Sequence, residues 1–90
     1  MIGVVAHDAG GAEIISSYIR RQQLNCIFCL GGAAVEVVDR KIGEVKALPL
    51  ESLIAQSDSL LCGTSSISDL EWSAIGKAKE AGKHCTVVLD

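Results

Sequence analysis

Short apolar segments alternate along this chain with segments that have the periodicity of a helix. This alternation constrains the fold more than any other feature of the sequence. Four apolar runs predict buried strands, and a charged segment at residues 44–48 predicts a fifth strand at the edge of the sheet. The four apolar runs are Ile2–Ala6, Cys26–Leu30, Ser59–Cys62 and residues 85–89. Apolar residues make up 49% of the chain and aromatic residues only 3%. We therefore expect an aliphatic core, as is found where parallel strands are buried between helices.

Four helices are predicted between these strands, at residues 10–23, 33–41, 50–56 and 68–81. The fourth has the spacing of a capping box at its start, with Ser68 as the N-cap and Glu71 three residues later. Gly82 suits its C-terminal end. The first helix places four large side chains on one face, which we expect to point inward: Ile14, Ile15, Tyr18 and Ile19.

Strands that alternate with helices predict a parallel sheet covered by helices on both faces. The predicted fold class is α/β: a three-layer Rossmann-like (flavodoxin-like) parallel sheet of about five strands in the order 3-2-1-4-5. The pattern ends on a strand, so the fold is expected to lack a final helix. We expect residues 1–90 to form a single α/β domain that is half of a larger two-domain protein.

Composition and charge exclude several classes of function. The formal net charge is −3 and no basic stripe is present, which argues against nucleic-acid binding. The chain has no run of about 18 apolar residues, so no membrane span is predicted. The four cysteines stand within or at the start of apolar runs, where cysteine acts as a small hydrophobe. These features predict reduced thiols and a cytoplasmic location.

The loops that contain residues suited to ligand binding or catalysis all follow predicted strands. In open α/β sheets ligands bind outside the carboxyl ends of the strands, so these loops predict one site at that edge. The candidate ligand-binding residues are Gly10, Gly11, Gly32, Gly63, Thr64, Ser65 and Ser66. Glycines before a helix let an anion approach free N–H groups. The alternative is that Gly10 and Gly11 form a tight turn that needs a positive φ, and that the hydroxyl residues cap and shape their loop.

His7 and Asp8 are the candidate catalytic residues, because they directly follow the first strand. An imidazole there can act as a general acid or base near neutral pH, and the carboxylate can orient it or bind a sugar hydroxyl. In the alternative reading, Asp8 caps the first helix and His7 fills the crevice. The pair Cys26 and Cys29 has redox spacing, but on a strand it is read as core. No metal site and no cofactor are predicted, because the ligand spacing is absent.

Two segments resemble a known group of enzymes. They are VVAHDAGGAEIISSYIRRQ at the start and SDSLLCGTSSISDLEWSAIGKAKEAGKHCTVVLD at the end. The chain looks like the N-terminal Rossmann-like domain of GT-B-type glycosyltransferases and of UDP-N-acetylglucosamine 2-epimerase-like proteins. In that group the corresponding loops face the interdomain cleft and touch the acceptor or sugar. The resemblance thus implicates Gly10, Gly11, Gly63 and Thr64, with His7 and Asp8 nearby. The group's nucleotide is held mainly by a second, C-terminal domain.

These observations predict a carbohydrate-related domain: one half of a glycosyltransferase- or epimerase-like enzyme that acts on a phosphorylated or nucleotide-linked sugar. The alternatives are a stand-alone module that binds a small anion or has a regulatory role, and an interaction fragment without catalysis of its own. The expected partners are a small anionic or sugar ligand and either a homo-oligomer or a C-terminal domain. No nucleic acid and no membrane are expected.

Overall fold

A computed structural model of the protein describes residues 1–63 and 70–88. Within these residues there are four strands and four helices, and two of the helices follow one another between the second and third strands. The strands are β1 (Ile2–Ala6), β2 (Cys26–Leu30), β3 (Ser59–Cys62) and β4 (His84–Val87). The helices are α1 (Ala9–Gln22), α2 (Gly32–Lys41), α3 (Leu50–Gln56) and α4 (Leu70–Glu80). The predicted α/β class with a parallel sheet is confirmed.

The four strands pair in the order β2-β1-β3-β4, and every pairing is parallel. β1 lies between β2 and β3, so that Val4 has Phe28 on one side and Leu61 on the other. The chain adds strands first on one side of β1 and then on the other. The carboxyl end of β1 is therefore the point at which the strand order reverses, where ligands bind in such sheets.

The sheet separates two aliphatic clusters. On one face α1 and α2 pack on β1 and β2, with Val4, Ile15 and Phe28 buried. On the other face α3 and α4 pack on the sheet, with Leu53 and Leu60 buried. β1 is buried from Gly3 to Ala6 because both of its faces are covered, as is typical of a central parallel strand.

The prediction of five strands in the order 3-2-1-4-5 is not matched, because residues 44–48 form no strand. Only Ala47 makes a bridge, to Phe28 of β2. Two backbone bonds support that bridge: Phe28 N–H donates to Lys46 O at 3.0 Å, and Leu48 N–H donates to Phe28 O at 2.8 Å. The segment is exposed at Glu44 and Lys46 and is followed by Pro49, so little apolar burial is available to extend the pairing.

The inward face predicted for α1 is wrong at two positions. Ile15 and Ile19 are buried, but Ile14 and Tyr18 are each 45% exposed. Ile14 and Tyr18 border a groove that is also lined by Leu61 of β3, Thr86 of β4 and Val88. The structure describes no helix over that part of the sheet, so these side chains lack the second surface that would bury them.

Candidate functional site

The turn from β1 to α1 carries His7 and Asp8, both of them partly buried. Asp8 is the N-cap residue of α1, with extended backbone, but its side chain makes no capping hydrogen bond. Side-chain capping by Asp8, one of the alternatives from sequence, is therefore not present. Ala12 N–H donates instead to the backbone carbonyl of Asp8 at 3.1 Å. The Asp8 carboxylate thus makes no hydrogen bond that holds the start of the helix.

Gly10 and Gly11 lie inside the first turn of α1. Neither is among the residues with positive φ, so the alternative of a turn that needs a positive φ here is wrong. Gly11 is buried, and its Cα would lie 3.6 Å from a methyl group built on Gly63. The structure therefore brings together the glycine turns after β1 and β3, which the sequence placed on one edge.

The His7 ring lies against the loop between β2 and α2. A methyl group at Gly31 would be 2.8 Å from Cδ2 of His7, and one at Gly32 would be 2.6 Å from Cε1. Both distances are too short for a real contact, so the imidazole occupies space that only glycine leaves open. Gly32 also has a φ of +50°, which glycine adopts at least cost. The Gly31–Gly32 loop therefore packs against the His7 ring and leaves room for it.

The backbone of His7 is held from both sides. Its N–H donates to Oε2 of Glu71 at 3.0 Å, and its carbonyl accepts from Ala34 N–H of α2 at 3.3 Å. Two further bonds fix the neighbouring loops: Gly31 N–H donates to Ala6 O, and Gly63 N–H donates to Val5 O, each at 3.0 Å. The backbone of His7 is thus tied to α2 and α4, and the two neighbouring loops are tied to β1.

Glu71 is the functional candidate that sequence reasoning missed. The sequence pattern places Glu71 in a capping box with Ser68, which lies outside the described residues. In the structure Glu71 is 1% exposed, and its carboxylate accepts a hydrogen bond from the His7 N–H. Its Oε2 would lie 3.1 Å from a methyl group at Gly63. The signal that could have revealed it is periodicity. Glu71 stands three residues before Ala74 and seven before Ala78, and both alanines are buried.

Three of the predicted ligand-binding residues, Thr64, Ser65 and Ser66, lie outside the described residues. Of the other predicted site residues, the structure brings together His7, Gly11, Gly32 and Gly63, with Asp8 and Gly10 in the adjoining turn. The residues within reach of one another thus supply an imidazole, a buried carboxylate and the N–H groups at the start of α1. Such a set can bind a hydroxyl-bearing ligand and transfer a proton to or from it.

Two thiols lie behind this site. Sγ of Cys62 is 3.2 Å from Sγ of Cys85 on the neighbouring strand. Burial raises the pKa of the Cys62 thiol well above its usual range, and contact with Cys85 and the negative charge of Glu71 add to the effect. All four cysteines are free thiols. Burial raises the pKa of the two on β2, Cys26 and Cys29, as well.

Among residues 1–63 and 70–88, no group of three or more histidine, cysteine or acidic side chains is arranged to hold a metal ion. In the same part of the chain, no helix combines the length and the hydropathy needed to cross a membrane.

Comparison of the chain with protein-family models, with curated proteins and with solved structures gave no match. The proposals below therefore depend on the geometry of the site and on the resemblance in its loops.

Proposed function

We propose that this chain is one half of a glycosyltransferase- or sugar-epimerase-like enzyme and that it binds a phosphorylated or nucleotide-linked sugar at the carboxyl end of β1. The main support is the convergence of His7, Gly11 and Glu71 at the point where the strand order reverses. Open parallel sheets bind their ligands at this point. The resemblance of the loops to the N-terminal domain of such enzymes agrees with this choice of ligand.

Each residue of the crevice has a role in this proposal. The partly exposed His7 ring serves as the general acid or base for a sugar hydroxyl, because imidazole exchanges protons near neutral pH. Asp8 has no capping bond to satisfy, so its carboxylate is available to accept a hydrogen bond from a second hydroxyl. The first turn of α1, at Gly10 and Gly11, contributes N–H donors that no earlier helical residue can engage. The sequence also offers the hydroxyls of Thr64, Ser65 and Ser66, which lie outside the described residues.

An NMR titration of the 15N-labelled chain tests this proposal. The ligands are a set of uridine and guanosine diphosphate sugars, a sugar 1-phosphate, the free sugars, the free nucleotides and inorganic phosphate. We expect the amides of His7, Gly10, Gly11 and Gly63 to shift together and saturably with members that contain a sugar. His7→Gln should weaken that response. The matched control is His84→Gln, because His84 is exposed at the first residue of β4. Responses confined to other residues would contradict the proposed site.

A small-anion-binding or regulatory module is the second candidate function. It is favoured by the start of α1, a 14-residue helix that has no acidic residue in its first turn and no side-chain cap. The positive end of such a helix attracts anions. The same titration separates the two functions. Inorganic phosphate alone would shift Gly10 and Gly11 in an anion module, whereas a sugar would be required in the carbohydrate enzyme.

A further inference from the structure

The buried carboxylate of Glu71 lies next to the turn between β1 and α1. Glu71 is 1% exposed, and its Oε2 accepts the His7 N–H at 3.0 Å. Its second oxygen, Oε1, is also buried and has no hydrogen-bond partner within the described part of the chain. A buried carboxylate oxygen without a partner is costly. Such a group in a folded protein calls for an explanation, and a role in catalysis or in holding a bound species is one such explanation.

The carboxylate is close to the helix start that would otherwise attract an anion. A methyl group built on Gly63 would lie 3.1 Å from Oε2 of Glu71 and 3.6 Å from Cα of Gly11. The Glu71 carboxylate and the first turn of α1 are therefore both close to Gly63. The N–H groups of the first turn of α1 favour negative charge, but Glu71 already supplies one. Because the surroundings are buried, water screens this charge little.

We propose that Glu71 sets the charge preference of the crevice: it keeps a phosphate group away from the first turn of α1 and reserves that position for an uncharged ligand hydroxyl. This inference rests on the proposed function for its ligand class. A phosphate at Gly10 and Gly11 would be a second negative charge a few ångströms from the first, and the repulsion is strong where the dielectric constant is low. The effect acts through charge and does not require Glu71 to touch the ligand.

A hydroxyl group avoids this repulsion and matches the groups that are present. Its oxygen accepts a hydrogen bond from an N–H group of the first turn, and its proton needs an acceptor. The Asp8 carboxylate, which makes no capping bond at the start of α1, is available as that acceptor. The sugar part of a nucleotide-linked or phosphorylated sugar is thus assigned to the first turn of α1. The phosphate of such a ligand binds at a position away from the first turn of α1.

The test is the variant Glu71→Gln, which keeps the length of the side chain and an oxygen for the His7 N–H but removes the charge. Inorganic phosphate and a neutral monosaccharide are titrated separately into 15N-labelled protein. In the unmodified chain we expect no saturable shift of the Gly10 and Gly11 amides below about 10 mM phosphate. In Glu71→Gln we expect the same amides to bind phosphate at least about tenfold more tightly. Glu80→Gln removes a charge from the exposed end of the same helix and should behave like the unmodified chain.

The outcomes separate this inference from the proposed function. Phosphate binding at Gly10 and Gly11 in the unmodified chain, or no gain in Glu71→Gln, would overturn the role of Glu71. If the monosaccharide and the nucleotide sugars bind no variant while Glu71→Gln gains phosphate, the role of Glu71 stands and the carbohydrate function fails. Amide dispersion reports whether each variant is folded. If Glu71→Gln does not fold, Glu71→Met is a second variant that removes the charge. The phosphate titration of the unmodified chain needs no variant and can overturn the inference by itself.

Discussion

Gly32 shows how a single residue sets the position of a catalytic candidate. Its φ of +50° and the 2.6 Å separation between a built methyl group and Cε1 of His7 are separate penalties for any larger residue. The first penalty arises from backbone strain at a positive φ. The second arises from steric overlap with the His7 ring. A control glycine with a positive φ and no close neighbour has only the backbone penalty, so the difference between the two substitutions gives the steric cost.

We predict that Gly32→Ala lowers the free energy of unfolding by about 2 kcal/mol and moves the His7 ring. The control is Gly82→Ala, because Gly82 has a φ of +71° and no neighbour within 4 Å. It should cost about 1 kcal/mol, from backbone strain alone. Urea unfolding gives both values. If His7→Ala leaves the extra cost of Gly32→Ala unchanged in a double-mutant cycle, the ring is not the source of that cost.

The thiols make a second prediction at the residue scale. Cys62 is the buried cysteine, and the other three are half-buried, so the four should react at different rates. The thiolate is the reactive form, and burial raises the pKa of Cys62, with contact from Cys85 as a further cause. We expect Cys62 to be the last thiol labelled in the native protein, with a rate still rising at pH 10. Mass spectrometry of labelled peptides measures this order, and early labelling of Cys62 would contradict its burial.

At the scale of the element, α1 presents two isoleucines in adjacent positions with opposite environments. Ile15 is 2% exposed in the core between the helices and the sheet, whereas Ile14 is 45% exposed. We predict that Ile15→Ala lowers the free energy of unfolding by about 2–4 kcal/mol, because it leaves a cavity. Ile14→Ala should cost less than about 1 kcal/mol. Equal costs in chemical denaturation would mean that the two faces of α1 are wrongly assigned.

The contact between α1 and α2 depends on pH through Glu13. Its carboxylate pairs with Arg40, and its Oε2 lies 2.9 Å from Nζ of Lys41. The hydrogen bond from Lys41 is the largest cause that holds the pKa of Glu13 below its usual value of 4.5, and Arg40 lowers it further. A group whose pKa is lowered by folding stabilises the fold above its unfolded pKa and loses that effect as pH falls through the folded pKa.

We therefore predict that Glu13→Gln lowers stability at neutral pH and that this difference disappears as pH falls below 4.5. The effect is small because the pair is exposed. Glu36→Gln, at an exposed position of α2, is the control for the loss of one carboxylate. Thermal unfolding of the variants from pH 7 to pH 3 gives the comparison. A difference that persists unchanged at pH 3 would exclude the ion pair as its origin.

For the whole molecule, the groove between α1 and the β3–β4 side of the sheet is a place where apolar side chains are left uncovered. Ile14 and Tyr18 are exposed there beside Leu61 and Val88. We expect the isolated chain to self-associate at tens of micromolar through this groove, because contiguous apolar patches on proteins are often contact sites. Sedimentation velocity measures the association, and Tyr18→Glu should weaken it. A stable monomer of the unmodified chain would contradict the prediction.

The sequence by itself determined the parallel α/β class and indicated the end of the sheet at which the candidate residues lie. Apolar runs and helical periodicity are local signals, and the rule that ligands bind at carboxyl ends follows from the topology they predict. It also placed His7, Gly11 and Gly63 on one edge, since each follows a strand. These predictions needed no knowledge of which side chains meet.

Only the tertiary structure decided the rest. Residues 44–48 form a single bridge because burial on both faces, and not local propensity, sustains a strand. Ile14 and Tyr18 are exposed because the side of a helix that is buried depends on what covers the sheet beside it. Glu71 meets the N–H of His7 from 64 positions away. The helical spacing of Glu71 with Ala74 and Ala78 can indicate that its side chain faces inward. No local pattern indicates which group it meets, so the contact with His7 appears only when the chain is folded.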